Sequence, residues 1–244
     1  MSTVAERHAG KVVIVTGAGG GIGAAVCAKF AAESATVYAL DRKTFENVGQ
    51  YEQRVVDVTD TSEFTSVIQE IARSHGRIDV LVNNAGFLER QAALDITPAD
   101  WQKSIDVNLT ASFFGSQATA RIMKDRGGGS IINLSSYAGL KGRPNCAHYA
   151  SAKAAIAHLT VCLAVEWGPL NIRVNAIAPG YIETPMSAWM HGDPEQKAIY
   201  VEKTPLRRMG TPSEIADAVS YLASGEASYV TGQVMRVDGG ITQS

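Results

Sequence analysis

Cysteine is scarce in this chain: Cys27, Cys146 and Cys162 are the only three in 244 residues, with no CxxC pair or Cys/His cluster. An odd count without metal-ligand spacing argues against a disulfide framework and a structural zinc site, and it points to a reducing cytoplasm. Charge of one sign is equally lacking, with 22 basic residues against 24 acidic ones, a net charge of −2, and no block of like charges. Nucleic-acid and membrane-surface partners are therefore not expected, and a small polar metabolite is. Long apolar runs are missing too. The stretch around 154–165 is interrupted by His158 and Thr160, and the opening MSTVAERHAG has no apolar segment of the signal-peptide kind. The expectation is a soluble protein. Without a Pro/Ser-rich linker, an internal repeat or a low-complexity tract, residues 1–244 are expected to form a single domain.

What the chain does have is rhythm. Short β-branched runs occur at 11–16, 35–40, 54–58, 78–83, 130–135, 172–177 and 233–237, and helical spacing fills stretches between them such as 61–75 and 212–223. The strands are apolar almost without alternation, as expected when helices cover both faces of a sheet. This predicts an α/β fold: one doubly wound parallel sheet of the Rossmann type. The segment 180–211 breaks the rhythm with three prolines and mixed polarity, and it reads as a lid or substrate loop.

The first strand runs into TGAGGGIGAA, residues 16–25. Strand, glycine turn and helix are the context in which backbone N–H groups at a helix start hold a pyrophosphate. In the register T-G-x-x-x-G-I-G the turn begins where the strand ends, and Gly17, Gly21, Ile22 and Gly23 are the phosphate-side residues. Asp41 ends the second strand 20 residues after Gly21, where a carboxylate accepts bonds from both adenosine ribose hydroxyls. It favours NAD over NADP. Arg42 beside it is the residue that could accept the extra phosphate of NADP. Further on, Tyr149 and Lys153 are four apart, on one helix face, which brings an ammonium within reach of a phenol.

With NNAG at 83–86, NLSS at 133–136 and NAIAPG at 175–180 in order behind the glycine turn, the chain resembles the short-chain dehydrogenase/reductase family over almost its whole length. The resemblance implies a tetrad. Tyr149 is its general acid/base, and Ser136 bonds the substrate oxygen, with Ser135 as the competing neighbour. Lys153 lowers the tyrosine pKa and holds the nicotinamide ribose, and Asn108 places a water through its main chain. It further implies that Asp57 and Val58 meet the adenine, that Asn84, Ala85 and Gly86 lie beneath the adenosine ribose, and that Pro179, Gly180, Ile182 and Thr184 form the nicotinamide-side loop. The closing VDGG at 237–240 resembles a segment at subunit contacts, so a homotetramer or homodimer is expected.

The implied reaction is interconversion of a secondary alcohol and a ketone by hydride transfer, on a sugar, a polyol or a hydroxy acid. Lys141, Arg143 and Arg90 are cations that would suit a hydroxy acid if one faced the pocket, the alternative being that all three are solvated loop charges. Tyr137, His148, Trp189, Met190 and His191 are the expected lining. The link from Asp41 to the third strand is short, as in members related to cytosolic hydroxybutyrate dehydrogenase. Their arginine three residues before the tyrosine is Cys146 here. As a reactive thiol Cys146 lacks an evident activating partner. The competing readings are an NADP-dependent ketone or 3-oxoacyl reductase, a dinucleotide sensor without chemistry, and a methyltransferase, which would need neither Tyr149 nor Lys153.

Overall fold

The computed structural model describes residues 6–46, 51–190 and 194–243, apart from the side chains at 188–190, 194 and 196. Seven strands form one parallel sheet in the order β3-β2-β1-β4-β5-β6-β7. They are β1 (Val12–Thr16), β2 (Thr36–Asp41), β3 (Glu52–Val55), β4 (Val80–Asn83), β5 (Gly129–Leu134), β6 (Ile172–Pro179) and β7 (Val234–Val237). The helices are α1 (Gly21–Ala32), α2 (Thr61–His75), α3 (Pro98–Ile105), α4 (Ala111–Met123), α5 (Ala147–Trp167), α6 (Pro194–Lys203) and α7 (Pro212–Ala223).

Side chains alternate faces along a strand, and β1 shows what that does here. Val12 and Ile14 join a core built with Phe64, Ile68, Met123 and Leu163 of α2, α4 and α5. Val13 and Val15 join the opposite core with Val26, Phe30, Ile215 and Val219 of α1 and α7. All five residues of β1 are buried, so a run without polar alternation is what this position requires. The edge strand β3 is half-exposed or exposed throughout. Here the expected strand at 54–58 gives way to one at 52–55. Val56 donates to the Asp41 carbonyl at 2.9 Å, and β2 has ended there, so no ladder partner remains. Val56 and Val58 still pack into the core, as loop residues.

The order of the sheet reverses between β1 and β4, so a crevice opens above their carboxyl ends, the usual ligand position in open α/β sheets. The excursion at 180–211 leaves and rejoins the body at one point. Glu183 donates to the Gly210 carbonyl at 2.9 Å and Gly210 to the Tyr181 carbonyl at 2.8 Å, clipping the base of a loop that carries α6.

Candidate active site

At the end of β1 the chain turns through Gly17, whose φ of +64° favours glycine and where a Cβ would stand 2.8 Å from the Ala85 Cα. The turn is sewn to the end of β4. Thr16 Oγ1 accepts from the N–H groups of Asn84 and Ala85, both at 3.0 Å, and Asn84 Nδ2 donates to the carbonyls of Thr16 at 2.9 Å and Gly17 at 3.0 Å. This is the local task of NNAG. The neighbouring Asn83 donates to Asn133 Oδ1 at 2.9 Å, and Asn133 donates to Thr160 Oγ1 at 3.0 Å, a buried polar chain tying β4 and β5 to α5. Sequence reasoning passed over that chain, although asparagine inside an apolar strand is its signal.

Helix α1 starts at this turn without a side-chain cap and without an acid in its first turn. By contrast α2, α3 and α7 are capped by Asp60, Thr97 and Thr211. Its first N–H groups, at Gly21, Ile22 and Gly23, are therefore open to an anion, and the glycine cradle suits a dinucleotide pyrophosphate. Around the turn lies a groove of about 660 Å³, lined by Gly17, Asp41, Arg42, Asp57, Val58, Ala85 and Gly86 among others. Asp41 Oδ2 accepts from Gly19 N–H at 3.0 Å and Oδ1 from Lys43 N–H at 3.3 Å, which fixes the carboxylate at the rim. Asp57 Oδ1 accepts from Thr59 Oγ1 at 2.7 Å and Thr59 N–H at 2.9 Å. Those two bonds, first the hydroxyl and then the amide, hold its carboxyl below the usual range.

Gly86 also belongs to a second, smaller pocket of about 130 Å³, so groove and pocket meet there. Ser136, Tyr149, Lys153, Pro179, Gly180, Ile182 and Thr184 line it, with Ile22, Asn84, Tyr137, Arg143 and Tyr181. Ser135 Oγ is spent on the Lys153 carbonyl at 2.8 Å, whereas Ser136 Oγ accepts from Ala138 N–H at 3.2 Å and bonds the Tyr149 phenol. Burial pushes the Tyr149 phenol above its ordinary pKa, while the Ser136 hydrogen bond and the charge of Arg143 pull it back. Burial also lowers the Lys153 ammonium to about 8. Its Nζ donates to the Leu134 carbonyl at 2.8 Å and stands 5.8 Å from the centre of the Tyr149 ring.

Asn108 is fully buried in a π turn, Asp106–Thr110, where the Ala111 N–H bonds back to the Asp106 carbonyl. Such a turn rotates the helix locally and often marks a functional position. The Asn108 side chain accepts from Phe87 N–H at 3.2 Å and donates to the Phe87 carbonyl at 3.1 Å, pinning the loop after β4. A Cβ on Gly86 would lie 2.8 Å from Asn108 Oδ1 and 3.3 Å from Lys153 Nζ. Glycine at 86 lets the loop pass between them.

Residues 17–242 match the family described as enoyl-(acyl carrier protein) reductase. The chain is 42% identical to galactitol 2-dehydrogenase (L-tagatose-forming) of Cereibacter sphaeroides, covering 97% of this chain and 96% of that one. It is 40% identical to 3-oxoacyl-(acyl-carrier-protein) reductase of Thermotoga maritima, covering 96% and 99%. Among solved structures, a candidate NAD(P)-dependent gluconate 5-dehydrogenase of Beutenbergia cavernae with bound NADP superposes at a TM-score of 0.92, with 37% identity over 97% of this chain and 98% of that one. The chain belongs to the short-chain dehydrogenase/reductase family. This dehydrogenase/reductase is thus an NAD(P)-dependent oxidoreductase acting on CH–OH groups.

The structure sorts the side chains expected around the enzyme's pocket. Beside Tyr149 it is Ser136 and Arg143 that oppose the effect of burial, and the Lys153 ammonium donates to the Leu134 carbonyl. His148 does not line the pocket: it is buried, and among the described residues neither ring nitrogen has a hydrogen-bond partner. Lys141 is drawn away to the Ile241 carbonyl at 3.1 Å, and Arg90 is exposed outside the lining. Tyr137 and Arg143 do line it. His191, and the side chains of Trp189 and Met190, lie outside the described residues. Among the described residues no group of His, Cys, Asp and Glu could hold a metal ion, and no helix is long and apolar enough to cross a membrane.

Proposed function

We propose that this dehydrogenase interconverts a small secondary alcohol, of the polyol, sugar or hydroxy acid class, and its ketone, using NAD. The observation that carries the reading is one small pocket lined by Ser136, Tyr149 and Lys153 that opens at Gly86 onto the groove holding Asp41. A bound nicotinamide would supply the acceptor for the hydride leaving the alcohol carbon. Tyr149 takes the hydroxyl proton, and Ser136 holds the oxygen as its charge changes. Lys153 and Asn108 position the ribose side and a proton-relay water, and the loop over Pro179, Gly180, Ile182 and Thr184 orients the ring. Holding the reacting carbons at contact distance supplies much of the acceleration. Free cysteines support a reducing cytoplasm, and Val161 and Val165, exposed on α5, support an oligomer, a homodimer or homotetramer.

The test is NADH formation across 3-hydroxy acids, polyols, aldoses and cyclic alcohols, with NADP in parallel. Turnover of one class with NAD supports the reading, and an enzyme that binds NAD but oxidises nothing would return the sensor reading. Asp41 makes the cofactor choice testable. Its carboxylate repels a 2′-phosphate, so Asp41→Ser should shift the kcat/KM ratio toward NADP by about 10- to 100-fold, one to two tenfold steps of about 1.4 kcal/mol each. An unchanged ratio would mean that Arg42, on the same groove, sets the choice. That placement of Arg42 is also what favours the second reading, an NADP-dependent ketone or 3-oxoacyl reductase.

A further inference from the structure

We infer that Arg143 is the specificity-determining residue of the pocket and that it binds a carboxylate on the substrate, so that the alcohol is a small hydroxy acid. The inference rests on the oxidoreductase reading of the same site and narrows it. Of three loop cations close to the catalytic residues in sequence, only Arg143 reaches the pocket that holds Ser136 and Tyr149. Its guanidinium carbon stands 5.7 Å from the centre of the Tyr137 ring and 5.8 Å from that of Tyr181, within the range of cation–π attraction. The two rings are themselves tilted against each other at 4.9 Å, and Tyr200 of α6 packs on Tyr181 at 4.6 Å. Two tyrosines far apart in the chain, one of them backed by Tyr200, thus hold one guanidinium beside the reacting groups.

The polar edges of this box face the same way in chemical terms. Tyr137 donates its hydroxyl to the Tyr181 hydroxyl at 2.7 Å, which leaves the Tyr181 proton for a further acceptor. Among the described lining residues the charged side chains are Arg143 and Lys153, and there is no carboxylate. A planar fork of N–H donors matches a carboxylate through two parallel bonds, and a guanidinium stays protonated at any physiological pH. Arg143 lines the same small pocket as Ser136 and Tyr149, so the anion and the alcohol belong to one molecule.

The test separates binding from chemistry. Cyclohexanecarboxylate and cyclohexanecarboxamide, neither of which carries an alcohol, are titrated into the full-length enzyme with bound NADH, and the NADH fluorescence is followed. The carboxylate should bind at least tenfold more tightly than the amide, and Arg143→Gln should bring the two within about twofold, with Arg143→Lys in between. In turnover, 3-hydroxybutyrate and 4-hydroxycyclohexanecarboxylate are compared with their methyl esters. The acid should lead in kcat/KM by about tenfold or more, and Arg143→Gln should erase that lead through KM. Equal binding of carboxylate and amide by wild type, or a preference for the esters, overturns the inference even if no Arg143 variant folds. Carboxylate binding through Arg143 without turnover of any alcohol leaves the anion site standing and overturns the oxidoreductase reading; turnover indifferent to charge does the reverse.

Discussion

Tyr149→Phe should lower kcat by about three orders of magnitude while the dissociation constant for NAD changes less than about threefold. Removing one hydroxyl deletes the proton acceptor without altering the ring that fills the pocket, and general acid–base groups contribute about 10²–10⁴-fold. Tyr137 and Tyr181, the other phenols of the described lining, are hydrogen-bonded to each other at 2.7 Å. Ser136 Oγ accepts from Ala138 N–H at 3.2 Å, and Lys153 Nζ is committed to the Leu134 carbonyl. The buried His148 is next in the chain but not in the pocket. The pH dependence of the wild type follows from the same environment. Burial raises the Tyr149 pKa, and Ser136 and Arg143 oppose it, so the base form is scarce at neutral pH and alcohol oxidation should quicken as pH rises. Ketone reduction, which needs the protonated phenol, should stay level over that interval and fall only as pH approaches the raised pKa. Stopped-flow measurement of NADH formation, with NAD binding followed separately, checks both trends. More than a tenth of wild-type kcat in Tyr149→Phe would transfer the proton to another group.

Much of this architecture could be read from residue order, and the failures have identifiable causes. Helices α2 and α7 begin and end where their spacing predicts, since Asp60 and Thr211 cap them at the first turn. Strand β3 shifted because an edge strand is specified by its neighbour's length, and β2 stops at Asp41; no pattern within 54–58 carries that information. Tyr149 and Lys153 sharing a helix face follows from a spacing of four, whereas the direction of the ammonium depends on a strand-end carbonyl at Leu134 that only the tertiary fold brings near. The π turn at Asn108 is a similar case, since a single asparagine within a helical pattern does not announce an extra residue per turn. Arg143, Lys141 and Arg90 look alike as loop cations. Their separation into one pocket residue and two outsiders is set by Tyr137, Tyr181 and the C-terminal carbonyl at Ile241, contacts far apart in the chain.

Lys153→Met should inactivate the enzyme and yet stabilise it, cofactor-free, by about 1–2 kcal/mol at pH 7. An ammonium buried at this position titrates near 8 instead of 10.5, so at neutral pH the folded state carries a charge that unfolding returns to water. A shift of that size corresponds to about 3 kcal/mol at 1.36 kcal/mol per unit. Methionine fills similar volume without charge, but leaves the Leu134 carbonyl without its 2.8 Å donor, a loss of about 1–2 kcal/mol. The sign of the pH dependence distinguishes this account from simple repacking. Between about 8 and 10.5 the unfolded lysine holds a proton that the folded one has released, so wild-type stability rises with pH across that window and the variant's advantage shrinks. Below 8 both states are protonated and the advantage is constant. Paired urea denaturations of wild type and variant at pH 7 and pH 10 measure the difference directly, since every other titrating group is common to both. A variant less stable than wild type at pH 7, by a margin that does not change at pH 10, would mean that the ammonium is stabilised in place by its hydrogen bond. A stabilised but inactive variant would instead place Lys153 among residues held at a cost to the fold for the sake of the reaction.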